Sequence, residues 1–280
     1  MTLAPPRKLA LITGASAGIG EAFAHAYAAK GYDLILVARR LERLDILGQA
    51  LTQTHGIKTS SLPCDLSRRD AVDIIGHELA ALNAQPDVLI NNAGYSIAHT
   101  YLDASWADQA DFIQVLVTTP AGLCRLVLPG MISNGWGRII NVSSITAFSP
   151  GAAGHTLYPA AKSFIIKMSQ SLAAEVKHEG VNVTAICPGQ TRSEFTDANG
   201  TRGLVARSGM WTQSAESVVD TAIRGNEAGR EVVISGWHNK LSVIAMKLLP
   251  DTLTASIIRP IARKFVIAPP HKKIEDLPEE

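Results

Sequence analysis

The chain has 280 residues, 46% of them hydrophobic and 18% charged, with a net charge of +1. That length suits one large α/β domain or two small ones, with a core big enough to need no staples, and so even a charge balance excludes a general electrostatic pull toward nucleic acid or anionic lipid. Three cysteines, Cys64, Cys124 and Cys187, lie far apart with no paired spacing, so they read as core residues of a protein in a reducing cytosol, not as disulfide partners or metal ligands. Residues 1–8 hold two prolines and no apolar h-region, unlike a signal peptide. No apolar run reaches the roughly 18 residues that cross a bilayer.

Residues 8–13 form a short apolar run that reads as a buried strand, and residues 18–30 have helical periodicity. Between them lies Thr13-Gly14-Ala15-Ser16-Ala17-Gly18-Ile19-Gly20. Its glycines let the backbone turn tightly and approach a ligand, and the helix that follows offers unpaired N–H groups and a positive dipole end to a pyrophosphate. A glycine turn at this place in a βαβ unit predicts a dinucleotide site.

Asp33 to Ala38 is the next strand. A site for NAD would carry an acid near its end, about 20 residues beyond the glycines, to hold the ribose hydroxyls. Here Arg39 and Arg40 stand instead. A guanidinium pairs with a 2′-phosphate and an acid repels it, so the expected cofactor is NADP. Residues 41–55 read as a helix, 58–63 as a strand, 68–82 as a helix and 88–91 as a strand. Strands separated by helix-length segments imply a parallel sheet with right-handed crossovers. Asp65, after the third strand, either accepts from the adenine amino group or caps a helix.

Further on, residues 137–142 read as a strand with Ser143 and Ser144 at its C-terminal end, the edge where open α/β sheets bind ligands. Tyr158 and Lys162 stand four positions apart at the start of a helix, hence on one face. An ammonium there favours the phenolate and lowers the phenol pKa, so the pair can exchange a proton with a carbonyl or alcohol. Residues 181–187 form an apolar strand. The stretch 192–209 reads as a mobile lid over substrate, with Phe195, Leu204, Met210 and Trp211 as an apolar underside that suggests a hydrophobic substrate. Ser214 caps a helix reaching about Ala228, and residues 231–234 are the last strand.

Taken together, TGASAGIG at 13–20, Asp65, NNAG at 91–94, RIINVSS at 138–144, YPAAK at 158–162 and CPGQT at 187–191 make the chain resemble a short-chain dehydrogenase/reductase of the classical type, from about Lys8 to Ile234. The resemblance implies a Rossmann-type, doubly wound parallel sheet of about seven strands and hydride exchange between alcohol and ketone. By the family pattern Tyr158 is the acid/base. Lys162 binds the nicotinamide ribose and lowers the tyrosine pKa, and Ser144 holds the substrate oxygen. Ser144 lies fourteen positions before Tyr158, one more than the family interval, which leaves Ser143 as the alternative and suggests an insertion within 151–154. The implied cofactor contacts are Gly14, Ser16, Gly18, Ile19 and Gly20 in the first turn, then Arg39, Arg40, Asp65 and Leu66. Asn92, Ala93 and Gly94 follow, with Tyr158 and Lys162 and then Pro188, Gly189 and Thr191, whose backbone fixes the carboxamide. No metal site is implied, and the histidines show no ligand spacing. His155, three before Tyr158, is a candidate to touch substrate.

One position departs from the family. Its fourth helix carries an asparagine that supports a helix distortion, so that a main-chain carbonyl holds a relay water; Leu116 stands there in this chain. Pro120, four positions later, has no N–H to give to the Leu116 carbonyl and tends to kink the helix. It is expected either to compensate by backbone geometry or to leave the relay lost.

The sequence reading is therefore a catalytic domain over 1–236, a C-terminal helical extension over 237–266 and a disordered tail over 267–280. The extension has two apolar segments broken by Pro250 and Pro260, with Lys240, Lys247, Arg259, Arg263 and Lys264 among them. It either covers the cleft or a neighbouring subunit, or lies on a membrane surface. The expected function is that of a cytoplasmic, homodimeric or homotetrameric NADP(H)-dependent oxidoreductase that interconverts a ketone and a secondary alcohol. Its rivals are an NADP-binding regulator or scaffold without turnover and an enzyme of the same fold doing epimerisation or dehydration.

Overall fold

The computed structural model describes residues 7–97, 99–153, 156–191 and 212–263. Seven parallel strands form one sheet: β1 (Leu9–Thr13), β2 (Asp33–Ala38), β3 (Thr59–Pro63), β4 (Val88–Asn91), β5 (Gly137–Val142), β6 (Val181–Cys187) and β7 (Val232–Ile234). Their order is β3-β2-β1-β4-β5-β6-β7. The chain winds outward one way through β3 and then starts again on the other side of β1, so the switch point lies between β1 and β4. Ligands of doubly wound sheets sit outside the strand C-termini at such a crevice.

Apart from the edge strand β3, which is Thr-Ser-Ser-Leu-Pro, the strands are largely apolar on both faces because helices cover both. Successive side chains alternate across the sheet. Ala10, Ile12, Leu34, Leu36 and Ile90 pack with Phe23, Tyr27, Leu44 and Val218 in one layer. Leu11, Ile35, Val37 and Leu89 pack with Ile75, Phe112, Leu123 and Val127 in the other. The helices α1 (Gly18–Ala29), α2 (Leu41–His55) and α3 (Ala71–Ala81) follow the first three strands. The third starts later than its periodicity suggests, because residues 65–70 form turns held by Arg68 N–H to the Asp65 carbonyl and Ala71 N–H to the Arg68 carbonyl.

After β4 the chain enters α4 (Trp106–Ile113), capped by Ser105, whose hydroxyl accepts from Asp108 N–H at 3.1 Å. The helix then widens into a π-helical turn, Gln114–Thr118, and resumes as α5 (Thr119–Ser133). Taken as one helix, Trp106–Ser133 is long and apolar enough to span a bilayer by composition, contrary to the reading that no segment reaches that length. Its Phe112, Leu116, Leu123, Val127 and Met131 are instead buried in the core. Among the described residues the remaining α-helices are α6 (Tyr158–Val176), α7 (Ala215–Glu227), α8 (Trp237–Leu248) and α9 (Asp251–Arg263). Ser214 caps α7 by accepting from Ser217 N–H at 3.2 Å. Pro250 separates α8 from α9, but Pro260 lies inside α9 and does not break it. All three cysteines are buried and free.

Candidate active site

The glycine turn after β1 is built by close approach. Gly14 and Gly18 have φ of +64° and +60°, which side-chain-bearing residues rarely adopt. A Cβ on Gly20 would stand 2.1 Å from the Gly14 carbonyl oxygen. Asn92 locks the turn to β4: its Nδ2 donates to the carbonyls of Thr13 and Gly14 at 3.0 and 3.2 Å. Thr13 completes the lock, its hydroxyl accepting from the N–H groups of Asn92 and Ala93 at 3.0 and 3.2 Å and donating to the Ile90 carbonyl. Thr13 was not among the sequence-derived contacts, and only its place at the mouth of the turn could have flagged it.

Arg39 and Arg40 are exposed at the end of β2, and Arg40 donates to the Ser16 hydroxyl at 3.2 Å, bridging strand end and glycine turn. Asp65 receives Ser67 N–H and Ser67 Oγ on one oxygen, at 3.0 and 2.9 Å. It closes a local turn and is not the cap of α3, whose N-cap residue is Asp70. Leu66 is buried, and its carbonyl accepts from Thr119 Oγ1 at 2.9 Å, which ties this turn to the start of α5.

Ser144, Tyr158 and Lys162 converge beyond the ends of β5 and β6. Ser144 Oγ accepts from the N–H and the hydroxyl of Thr146 at 3.2 and 2.9 Å. Its own proton remains to donate, and it hydrogen-bonds with Tyr158. Ser143 faces elsewhere, donating to the Lys162 carbonyl at 2.7 Å. Of the two serines, Ser144 is therefore the one beside the tyrosine. Thr146, which aims it, was missed because nothing in its sequence context separates it from the other hydroxyls of this loop.

The protonation pattern differs from the sequence expectation. Burial pushes the Tyr158 phenol up to about 12, and the lowering influence is Ser144, not Lys162. The Lys162 Nζ lies 5.6 Å from the centre of the Tyr158 ring and donates to the Val142 carbonyl at 2.9 Å. The ammonium is itself 5% exposed, and burial lowers its pKa to about 8. Desolvation outweighs the opposing influence on each group, a hydrogen bond with Ser144 for the phenol and the nearby Cys187 for the amine.

Leu116 is buried in the π-helical turn, against Gly94: a Cβ on Gly94 would lie 3.7 Å from Lys162 Nζ and 3.8 Å from Leu116 Cγ. Thr119 N–H reaches back five residues to the Gln114 carbonyl. The helix is thus distorted at this point without the family asparagine. Pro120 follows within the first turn of α5, and Asn91 Nδ2 donates to its carbonyl at 3.3 Å.

A cleft opens beside Tyr158, lined by Ile97, His99, Thr100, Tyr101, Ala104, Gln109, Phe112, Thr156, Leu157 and Tyr158. Gln109 is 4% exposed; its Nε2 donates to the carbonyls of Tyr101 and Ala104, while its Oε1 has no partner among the described residues. These lining residues carry no sequence motif. The expected lid and its Phe195, Leu204, Met210 and Trp211 lie outside the described residues, as does His155. On the other flank Thr191 Oγ1 donates to the Gly189 carbonyl at 3.1 Å, and the Pro188 carbonyl accepts from Ile145 N–H. A Cβ on Gly189 would stand 2.4 Å from the Asn239 side chain of α8, so the extension packs against this loop.

The donor set fits a phosphorylated dinucleotide: a cradle that a single Cβ would close, left-handed glycines before a helix N-terminus, and two exposed guanidiniums at the end of β2.

The family model for short chain dehydrogenase matches residues 8–202. Nodulation protein G of Rhizobium sp. (strain N33) is 36% identical over 188 residues, which is 67% of this chain and 75% of that protein. A short-chain dehydrogenase from Sphingobium yanoikuyae, solved in complex with NADPH, superposes with a TM-score of 0.77 at 29% identity, covering 90% of this chain and 95% of that one. The bulky-bulky ketone specific alcohol dehydrogenase from Comamonas testosteroni superposes at 0.73 with 26% identity and covers 97% of this chain and 99% of that one, a span that takes in the C-terminal extension.

Proposed function

Because the chain belongs to the short-chain dehydrogenase family, we propose that it is an NADP(H)-dependent oxidoreductase interconverting a ketone and a secondary alcohol on a largely hydrophobic substrate. The observation that carries this reading is the meeting of Ser144, Tyr158 and Lys162 at the sheet edge, beside a cleft walled by Ile97, Phe112 and Leu157. In this reading the glycine turn and Arg39 and Arg40 hold the cofactor, with Lys162 at the nicotinamide ribose and the backbone of Pro188, Gly189 and Thr191 at the carboxamide. When bound, the reduced nicotinamide supplies the hydride.

The residues of the chain handle the oxygen. Tyr158, with its pKa near 12, holds its proton at neutral pH and is ready to give it to a carbonyl oxygen. Ser144, already accepting twice from Thr146, turns its own proton to the same oxygen. Two donors on one oxygen stabilise negative charge as it develops there. Lys162 keeps its ammonium below about pH 8 and offers it to the nicotinamide ribose. Gln109 Oε1 supports selection of substrates that bring a hydroxyl or N–H to that wall, since an unpaired buried acceptor is costly. The widened turn at Leu116 supports turnover over the scaffold reading, with Pro120 keeping a main-chain carbonyl free for a relay water. A homo-oligomer in the cytoplasm completes the reading, and Phe164, exposed on α6, suits a subunit contact.

The test is NADPH absorbance against a panel of bulky and small ketones, with Tyr158→Phe as control. Expected is oxidation of NADPH by some bulky ketones, lost by about 100-fold or more in the variant while NADPH binding is kept. Tight NADPH binding with no oxidation across the panel would favour the scaffold.

A further inference from the structure

The C-terminal helices carry an apolar face that points away from the protein. On α8, Trp237, Leu241, Ile244 and Leu248 are 68%, 57%, 50% and 78% exposed. At about 100° per residue these four fall within an arc of about 60°. The buried residues of the same helix, Asn239 and Val243, lie on the opposite side. An ordinary surface helix puts its apolar stripe inward; α8 packs inward through Asn239 and Val243 and turns its larger apolar stripe out. The following segment repeats the pattern, with Leu249, Leu253 and Ile257 exposed while Thr254 and Ala255 are buried.

Charge separates the possible occupants. Residues 237–263 hold Lys240, Lys247, Arg259 and Arg263 against one acid, Asp251, a net +3, so the other residues sum to −2. The near-neutral total hides this asymmetry. On α8 the two lysines flank the apolar arc on one side, by the same helical geometry. A second copy seated antiparallel on this face would set the basic edge of one helix against that of the other. A bilayer with anionic headgroups would take the apolar arc and meet Lys240 with opposite charge.

We propose that the outer face of α8 and α9 is a docking surface for anionic lipid bilayers, lying in the interface plane without crossing it. The surface adjoins the reaction cleft. Lys247 Nζ stands 5.0 Å from the centre of the Phe148 ring, in the segment that follows Ser144, and Arg259 Nε donates to the Gly151 carbonyl at 3.3 Å. Docking by this face brings the cleft rim close to the lipid, where an apolar substrate is concentrated.

The test uses the full chain in vesicle flotation, with phosphatidylcholine vesicles with and without phosphatidylglycerol at low and high salt. Expected is partition onto the anionic vesicles that falls with salt. Lys240→Ala should weaken it about fivefold. The outer-face variant Leu241→Ser/Ile244→Ser/Leu248→Ser should lose it by about tenfold or more, while NADPH binding by fluorescence and the melting curve stay as in wild type. No partition at low salt, partition indifferent to these substitutions, or a drop in oligomeric state by light scattering in the outer-face variant would each overturn the proposal. None of these readouts requires turnover, so failure of the proposed reaction would leave this test intact.

Discussion

Replacing Lys162 by methionine probes the buried charge on which the site depends. The folded amine has a pKa near 8, against an ordinary value of 10.5, because burial disfavours its charged form. Unfolding restores the ordinary value. Below pH 8 both states are protonated, and the folded state carries the full cost of the buried ammonium. Between pH 8 and 10.5 the unfolded chain holds a proton that the folded chain has shed, so this residue makes wild type more stable as pH rises through that window. At 1.36 kcal/mol per pKa unit, wild type should gain about 2–3 kcal/mol relative to Lys162→Met between pH 7 and pH 10. Tyr158, Cys124 and Cys187 have raised pKa values and work in the opposite sense at high pH, but they are present in both proteins and largely cancel in the difference. The absolute gap at pH 7 is less informative, since methionine also strips the Val142 carbonyl of its donor. The assay is thermal unfolding of cofactor-free protein at the two pH values. For a chain of this size the gap in Tm should move by about 5 °C. A gap that stays constant from pH 7 to pH 10 would refute a depressed, buried ammonium, and with it the ionisation assigned to the site.

Three further outcomes follow from the geometry. Arg40→Ala should raise the Kd for NADPH by about tenfold or more and leave that for NADH little changed, read by fluorescence titration of both. Gly20→Ala sets a Cβ against the Gly14 carbonyl; it should abolish NADPH binding and cost about 1–3 kcal/mol of stability, seen in calorimetry and denaturant melts. Pro120→Ala returns an N–H to α5 and lets the helix close at the Leu116 carbonyl; kcat should fall by roughly tenfold with the Kd for NADPH unchanged, and an unaltered kcat would sink the compensation.

Much of this protein was legible in the chain itself. Buried parallel strands are near-continuous apolar runs, so β1, β2, β4, β5 and β6 announce themselves. A turn that must approach a ligand admits glycine alone at certain backbone angles, so residues 13–20 and the strand before them could be placed without coordinates. The pairing of Tyr158 with Lys162 followed from helical spacing.

What the sequence left open depends on through-space contacts between distant segments. Neither the choice of Ser144 over Ser143 nor the aiming role of Thr146 has a local signature; both depend on how the end of β5 meets α6. The ionisation of Tyr158 and Lys162 was misjudged in the same way, because spacing reveals a neighbour's charge but not the burial that outweighs it. Pro120 signalled a distortion at Leu116, but its form, a π-helical turn, was not legible in the sequence. The outward apolar face of α8 is the plainest instance. Its residues look like any amphipathic helix, and only the tertiary structure, by burying Asn239 and Val243 instead, decided which side met the protein and which was left to the solvent.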